Sequence, residues 1–143
     1  MATTQDTTAE TRLIHDWASH WSSHDIDGLL SLFTDDVLYE DVALGVVNRG
    51  KEQLRGFVEG FVRGYPDIMV ELISSFASRD HGAAEWVIRG THLGDRPGRP
   101  ATGKPIALRG ASIFRFAQGK IQSCVDYSDL ATVLKQIGLM PSS

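Results

Sequence analysis

The sequence predicts an α+β domain in which a curved antiparallel β-sheet carries helices on its concave face. Two observations favour this fold. Apolar residues recur at helical spacing from Leu13 to Val62, and from Ile68 onwards β-rich runs are separated by Gly-, Asp- and Pro-bearing turns. Helices followed by a run of strands are typical of this layer arrangement. A few helices cannot fill the concavity of a bent sheet, and we therefore expect a pocket between them.

Three helices are predicted before the main strands begin. The first spans Ala9 to about Ser23, because its apolar residues form one stripe along a helix. A second, short helix is predicted over Ile26–Phe33. A third is predicted over Lys51–Gly64, where Gly64 and the nearby Pro66 end it. Between them, Val37–Asp41 is a candidate for a short strand.

Four longer strands and a closing helix complete the predicted domain. The strands are expected at Ile68–Ala77, Ala83–Leu93, Pro105–Phe116 and Lys120–Tyr127. The helix follows at Leu130–Gly138, and Ser128 or Asp129 is placed to cap its first turn. Because nothing divides the chain, we predict a single domain over residues 9–138, with flexible ends at residues 1–8 and 139–143.

Composition restricts the classes of partner. The chain has 143 residues and a formal net charge of −4 without a basic tract, which argues against nucleic acid or an anionic membrane. The single cysteine, Cys124, excludes an intramolecular disulfide and favours a reducing compartment. No apolar run approaches a membrane span, and Met1–Thr11 has no apolar signal region. We therefore expect a cytoplasmic protein. Apolar residues on both strand faces, as in Ile113 and Phe114, predict a homodimer formed through the outer face of the sheet.

Asp126 is the strongest candidate for catalysis, because it stands near the end of a half-buried strand. A carboxylate there must hydrogen-bond, pair with a charge, or raise its pKa and stay partly protonated. With a raised pKa, it provides a general base near neutral pH without a cofactor. The alternative is a structural carboxylate that pairs with Arg109 or Arg115 across the sheet.

The orientation of Asp126 depends on the turn that precedes its strand. If Ala117–Gly119 forms a three-residue loop, one face of the sheet carries the side chains of Ser112, Phe114, Phe116, Cys124 and Asp126. A two-residue loop reverses the parity, and Asp126 leaves that face.

Further candidates are groups that could wall the pocket or contact a ligand. His92 ends a strand just before a Pro/Gly-rich loop, and we consider it either a second catalytic group or a hydrogen-bonding residue at the rim. Trp21 is interpreted as a core aromatic, and Cys124 as a buried thiol that is not a nucleophile. The candidate substrate-binding residues are Trp17, Tyr39, Asp41, Trp86, Ser112, Phe114 and Cys124.

No motif indicates a metal or another cofactor, and we expect none. Gly98–Lys104 has the spacing of a phosphate loop, but Pro105 replaces the Ser or Thr that would hold Mg²⁺, and a strand follows instead of a helix. We interpret this segment as a lid over the pocket. Only His20 and His24 have i, i+4 spacing on the first helix, and the glutamate of a zinc-protease helix is missing there.

The order of these motifs resembles the SnoaL-like polyketide cyclases of the nuclear-transport-factor-2-like superfamily. The resemblance covers Ala9 to Gly138 and is carried by Y-E-D, R-G-T-H-L-G, P-A-T-G-K, F-R-F-x-x-G-K-I, D-Y-S-D-L and K-Q-I-G. It implies the cone-shaped, cystatin-like fold of that superfamily. It is specific for the fold and much less so for activity, since the same fold hosts isomerases, dehydratases, epoxide hydrolases and proteins that only bind ligands.

The resemblance also implies roles for individual residues. Asp126 matches the general acid/base of an intramolecular aldol ring closure, Asp129 matches a second acid, and His92 stands at a similar position to a family histidine. Asp41 stands where the family has an asparagine. Ser112 stands where the cyclases carry a histidine beside the acid, and this difference leaves the reaction itself open.

Three hypotheses therefore follow from the sequence. The first is a cofactor-free enzyme in which Asp126 removes a proton next to a carbonyl of a hydrophobic small molecule, while His92, Tyr39 or Ser112 donates to the enolate. The second is a protein that binds a hydrophobic ligand without catalysis. The third is an epoxide hydrolase or dehydratase, in which Asp41 and Asp126 share a water.

Overall fold

The computed structural model describes residues 6–95 and 100–141, which form four helices and six strands. In chain order these elements are α1 (Thr8–Ser23), α2 (Ile26–Ser31), β1 (Phe33–Asp41), β2 (Val46–Arg49), α3 (Gly50–Gly64), β3 (Met69–Ala77), β4 (His81–Thr91), β5 (Pro105–Ala117), β6 (Lys120–Ser128) and α4 (Leu130–Gln136). The predicted α+β fold is confirmed. Residues 1–5 and 142–143 of the predicted flexible ends lie outside the described residues, and α1 already begins at Thr8.

All six strands form one open sheet in the order β2-β1-β6-β5-β4-β3. The neighbouring pairs are antiparallel as predicted, except that β1 lies parallel to β6. This pair joins the first long strand to the last, and the intervening chain is long enough for the crossover that a parallel pair requires. Register shifts in the β1–β6, β3–β4 and β5–β6 pairs bend the sheet. The prediction missed β2, which has only four residues.

Helix α1 covers one side of the pocket with a single apolar face. Ile14, Trp17, Ala18 and Trp21 are buried on that face, at the spacing that the sequence predicted. The helix ends at His24, which adopts a left-handed conformation and donates its backbone N–H to the last turn. The chain turns directly into α2, whose cap Asp25 accepts from the backbone N–H of Gly28 at 2.9 Å.

Helix α3 covers the pocket from a second direction. Leu54 and Val58 are buried against the core, while Phe57 and Phe61 pack on it from the same helix. The two rings are 5.0 Å apart in an edge-on arrangement. No helix among the described residues is long and apolar enough to cross a membrane.

The turn between β5 and β6 differs from the prediction, but the predicted face is correct. Ala117 pairs with Lys120, so the loop has two residues, Gln118 and Gly119, both with positive φ angles (56° and 73°). The predicted three-residue loop is therefore wrong. A bulge at Gln122 then restores the parity, so that Ser112 pairs with Asp126 and Phe114 with Cys124. All four side chains are buried on the inner face.

The closing helix begins as the sequence predicted. Asp129 caps it, accepting from the backbone N–H of Thr132 at 3.2 Å and from the Thr132 hydroxyl at 2.6 Å. These hydrogen bonds hold the pKa of Asp129 below its usual range. The capping hypothesis for this residue is therefore confirmed.

Candidate functional site

A pocket lies between the inner face of the sheet and the helices α1 and α3. Its walls are apolar apart from Asp41, Asp126 and Ser128. The aromatic walls come from Trp17, Trp21, Tyr39, Phe57, Phe61 and Trp86, and the aliphatic walls from Ile68, Val70, Ile88 and Leu108. The free volume is about 20 Å³, which is room for roughly one water molecule. A larger ligand therefore requires the lining side chains to move apart.

Asp126 lies on the sheet wall of this pocket and is 92% buried, with a relative exposure of 8%. Its neighbours across the sheet are Ser112 on β5 and Asp41 on β1. Since alternate residues of a strand point to one face, these three side chains share the inner face. The fold thus assembles a small polar cluster at the base of an apolar pocket.

A chain of hydrogen bonds holds one oxygen of the Asp126 carboxyl. The indole N–H of Trp86 donates to Ser112 Oγ at 2.9 Å, and the Ser112 hydroxyl donates to Asp126 Oδ1 at 2.6 Å. The Cys124 thiol donates to the same oxygen at 3.4 Å. Within residues 6–95 and 100–141, Oδ2 accepts no hydrogen bond from a side chain. The hydrogen bonds from described side chains therefore hold one oxygen of the carboxyl, Oδ1.

Gly110 makes room for the tryptophan of this chain. It pairs with Trp86 across β4 and β5, and a Cβ atom at this position would clash with the Trp86 ring and lie 2.7 Å from the backbone oxygen of Tyr127. A residue with any side chain would therefore displace the ring that orients Ser112.

The surroundings of Asp126 make it more basic than an ordinary aspartate. Burial raises its pKa to about 6, and the nearby Asp41 carboxyl raises it too, whereas Ser112, Tyr39 and Cys124 act in the opposite direction. At neutral pH a group with this pKa is mostly ionised, yet it holds a transferred proton better than an exposed aspartate does. The cluster is therefore suited to general acid/base chemistry.

Asp41 is a second buried acid in the pocket wall, with a relative exposure of 6%. Burial raises its pKa, while the backbone N–H groups of Leu44 and Ala43 oppose that change. The Leu44 N–H donates to Asp41 Oδ1 at 3.0 Å. Asp41 is thus tied to the loop after β1, and its charge acts on Asp126.

Three buried polar atoms of the lining have no hydrogen-bond partner among the described residues. They are Trp17 Nε1, Trp21 Nε1 and the hydroxyl oxygen of Tyr39. Burial, followed by the proximity of Asp126 and Cys124, raises the pKa of Tyr39 well above its usual range. Tyr39 is close enough to Asp126 to lower the pKa of that carboxyl, but the two groups do not reach hydrogen-bonding geometry. Its O–H therefore stays protonated at neutral pH.

Comparison with protein families assigns the chain. The family model described as SnoaL-like polyketide cyclase matches residues 11–137. The chain belongs to the SnoaL-like polyketide cyclase family. This assignment confirms the resemblance that the sequence motifs carry.

One curated relative and two solved structures agree with the family model. Cyclase aurE of Calcarisporium arbuscula is 30% identical over 105 residues, which are 73% of this chain and 74% of aurE. A protein of Catenulispora acidiphila with a ketosteroid isomerase-like fold, solved in complex with trimethylamine, is 28% identical with a TM-score of 0.79, covering 90% of this chain and 93% of that one. IdmH of Streptomyces antibioticus shares the fold, with a TM-score of 0.78 at 24% identity over 90% of this chain and 97% of its own.

Within this SnoaL-like domain, most candidate residues of the sequence lie at or directly behind the pocket. Trp17, Tyr39, Asp41, Trp86 and Asp126 line it. The others form a layer behind the lining, where Ser112 and Cys124 contact Asp126 and Phe114 packs edge-on against Trp17 at 5.2 Å.

His92 is not among the lining residues. Its ring lies 3.0 Å from the Thr102 hydroxyl and packs on Tyr65, and its backbone pairs with Gly103 and Lys104. It therefore stands at the base of the predicted lid, as the rim alternative describes. Part of that lid, residues 98–99, lies outside the described residues, and its closure over the pocket stays a prediction.

Two results were not expected from the sequence. Trp21 was interpreted as a core aromatic, but it also lines the pocket; its i, i+4 spacing from Trp17 was the available signal. Arg109 and Arg115, the partners of the structural alternative for Asp126, are exposed, and Asp126 takes its hydrogen bonds from Ser112 and Cys124 instead.

Proposed function

We propose that this SnoaL-like protein is a cofactor-free enzyme that enolises a hydrophobic carbonyl compound, with Asp126 as the general base. The observation that carries this proposal is the difference in hydrogen bonding between the two oxygens of the Asp126 carboxyl. One oxygen is held by Ser112 at 2.6 Å, and the other has no side-chain donor among the described residues and belongs to a group that lines an apolar pocket. A pKa of about 6 suits proton transfer near neutral pH.

The reaction begins with transfer of a proton from the carbon next to the carbonyl to Asp126. The carboxylate becomes a carboxylic acid, and the electron pair of the broken C–H bond forms the enolate. In a ring closure, the enolate carbon then attacks a second carbonyl of the same molecule and forms a C–C bond. The resulting alkoxide takes the proton back from Asp126, so that no oxidant, reductant or co-reactant is consumed. Isomerisation returns the proton to a different carbon instead.

Tyr39 is the donor that we assign to the enolate oxygen. Of the three donors considered from the sequence, Ser112 is already bonded to Asp126, and His92 lies outside the pocket lining. The Tyr39 hydroxyl is buried, lines the pocket and lacks a partner among the described residues. A donor placed where charge develops stabilises the transition state more than the ground state.

The proposal is tested by proton exchange, which does not require the natural substrate. The α-protons of 2-tetralone exchange with deuterium in D₂O, and NMR measures the rate with and without the protein. Asp126→Asn keeps the shape of the side chain but cannot accept a proton, and we expect the protein-catalysed rate to fall about 10²- to 10⁴-fold. Exchange that proceeds equally fast with the variant contradicts the proposal and favours a protein that only binds its ligand.

A second candidate function is the addition or removal of water, as in an epoxide hydrolase or dehydratase. Two carboxyl groups, Asp41 and Asp126, line the same small cavity and pair across β1 and β6. This arrangement suits a water activated between them.

Asp41→Asn separates the two candidates. Enolisation needs only Asp126, and the variant should keep the exchange of 2-tetralone within about tenfold, with the pKa of Asp126 lowered by the loss of the neighbouring charge. Water activation by both groups predicts instead that Asp41→Asn abolishes the opening of styrene oxide, an activity that the wild-type protein must then display.

We also propose that the protein is a homodimer formed through the outer face of the sheet. A row of apolar residues crosses four strands there, with Phe76 73% exposed and Ile113 40% exposed, and Ala83 and Val125 paired beside them. Light scattering should give twice the mass of the monomer for the wild-type protein, and the mass of one monomer for Ile113→Asp. A wild-type monomer at micromolar concentration contradicts the dimer.

A further inference from the structure

The two tryptophans of the helix wall differ from the one on the sheet wall. Trp17 and Trp21 are almost fully buried, at 2% and 5% exposure, and line the pocket. Neither indole N–H has a partner among the described residues, whereas Trp86 donates to Ser112 at 2.9 Å. The helix wall therefore carries two indole donors without a partner, beside the Tyr39 hydroxyl on the sheet wall.

Unused buried donors are uncommon in folded proteins. More than nine in ten buried polar groups are hydrogen-bonded, and one that is not destabilises the fold. Here two occur on one face of α1, one turn apart, and both belong to side chains that line the same cavity. An indole N–H can only donate, so each requires an acceptor.

The two rings are held in place by their neighbours. Trp17 packs edge-on against Phe114 at 5.2 Å, and Trp21 packs edge-on against Phe61 at 6.0 Å. Both neighbours are phenyl rings, which carry no oxygen or nitrogen acceptor for the indole N–H. The packing therefore fixes the orientation of the rings and leaves the N–H groups unsatisfied.

We propose that Trp17 and Trp21 form a paired donor site that selects ligands by oxygen acceptors on the side of the molecule away from Asp126. The acceptors are carbonyl, ether or phenolate oxygens carried on a flat apolar skeleton, and a ligand that presents an ammonium or another donor to this wall is disfavoured. The inference rests on the proposed function, in which this pocket binds a carbonyl compound, and it adds the residues that recognise the oxygens of that ligand. It places the reacting carbon at the sheet wall and the recognised oxygens at the helix wall.

The chain contains three tryptophans, so a ¹H–¹⁵N spectrum of the full protein has three indole resonances, and each donor is observed directly. Trp17→Phe and Trp21→Phe each remove one resonance and assign it, which leaves Trp86 as the internal control. On addition of 2-tetralone or chroman-4-one, we expect the resonances of Trp17, Trp21 or both to move downfield as they gain an acceptor. Trp86, already bonded to Ser112, should not move downfield, and tetralin, which lacks oxygen, should not produce the downfield change.

Affinity provides an independent measurement. Each Phe variant should bind the two oxygen-bearing probes about three- to tenfold more weakly than wild type, the usual worth of one hydrogen bond, and should bind tetralin equally well. If both variants fail to fold, the titration of the wild-type protein still decides, because at least one of the three indole resonances should move downfield with the oxygen-bearing probes and none with tetralin.

Three outcomes overturn the inference. One is that neither helix-wall resonance moves with either oxygen-bearing probe, whether or not the probes bind. Another is an equal response to tetralin. The third is that both resonances already stand at a hydrogen-bonded position without ligand and stay there, which shows that ordered water satisfies them.

Asp126→Asn separates this inference from the proposed function. The variant should retain the indole shifts, since it leaves the helix wall intact. Indole shifts together with an unchanged exchange rate in that variant support the donor site and contradict the general base. A lost exchange rate without indole shifts in the wild type supports the base and contradicts the donor site.

Discussion

Asp126 and Asp129 lie three residues apart and have opposite environments. Asp126, near the end of β6, is buried, and burial raises its pKa to about 6. Asp129, at the start of α4, is exposed, and hydrogen bonds from Thr132 lower its pKa. The same side chain is thus a candidate base at one position and a helix cap at the other. Whether a carboxyl group lies inside the pocket or beyond it therefore decides which way its pKa moves.

The largest expected effect separates the two acids by rate. Asp126→Asn should reduce the exchange of 2-tetralone about 10²- to 10⁴-fold, as argued above. Asp129→Asn, its matched control from the same segment, should leave the rate unchanged, because Asp129 is not part of the pocket lining. If both variants lose the rate alike, the contrast between the two acids is wrong.

The free energy of unfolding should also distinguish the two acids, because the variant Asp126→Asn that loses the rate should gain stability. A folded pKa of about 6 against an ordinary value of 3.8 means that ionised Asp126 destabilises the fold, by up to about 3 kcal/mol at pH 7. Between about pH 4 and 6 the folded carboxyl keeps a proton that the unfolded chain releases, so wild-type stability falls as the pH rises through this window. Asp126→Asn should therefore be more stable than wild type at pH 7, and the two should converge near pH 4 in urea unfolding.

Asp129 should show the reverse dependence. Its folded pKa is lowered, so its contribution to stability is present above the pKa of the unfolded chain and is lost as the pH falls through the lower folded value. Asp129→Ala should melt at a lower temperature than wild type at neutral pH. A melting temperature that rises in this variant and falls in Asp126→Asn contradicts both assignments.

The smallest effect concerns the residue that stands in place of the family histidine. Removing the hydroxyl in Ser112→Ala takes away a hydrogen bond to the charged form of Asp126, so the pKa of that carboxyl should rise further, by about one unit. The lower limb of the pH–rate profile for exchange should move to higher pH by the same amount. Ser123→Ala, on the strand β6 that carries Asp126, removes a hydroxyl that makes no hydrogen bond to Asp126 and serves as the control. An unmoved profile with a lower rate indicates that Ser112 acts on packing alone.

The sequence predicted the layers of the fold and the face that carries Asp126, because strand and helix periods depend on neighbouring residues only. It did not predict β2 or the parallel pairing of β1 with β6, since both depend on which distant strands meet. The Trp86–Ser112–Asp126 chain was missed for the same reason, as it requires the register of three strands. Trp21 was assigned to the core because burial and pocket lining give one and the same helical pattern.

The bulge at Gln122 allows β6 to lose one residue without changing which side chains face the pocket. The residue is left out of the pairing, so a chain without it would still bring Cys124 and Asp126 opposite Phe114 and Ser112. Loss of Val125, the residue between Cys124 and Asp126, cannot be absorbed in this way, because the two side chains would then point to opposite faces of the sheet. A relative with one residue fewer at this bulge would keep the acid on the inner face, and the number of residues from the turn therefore does not by itself identify the acid in a homologous chain.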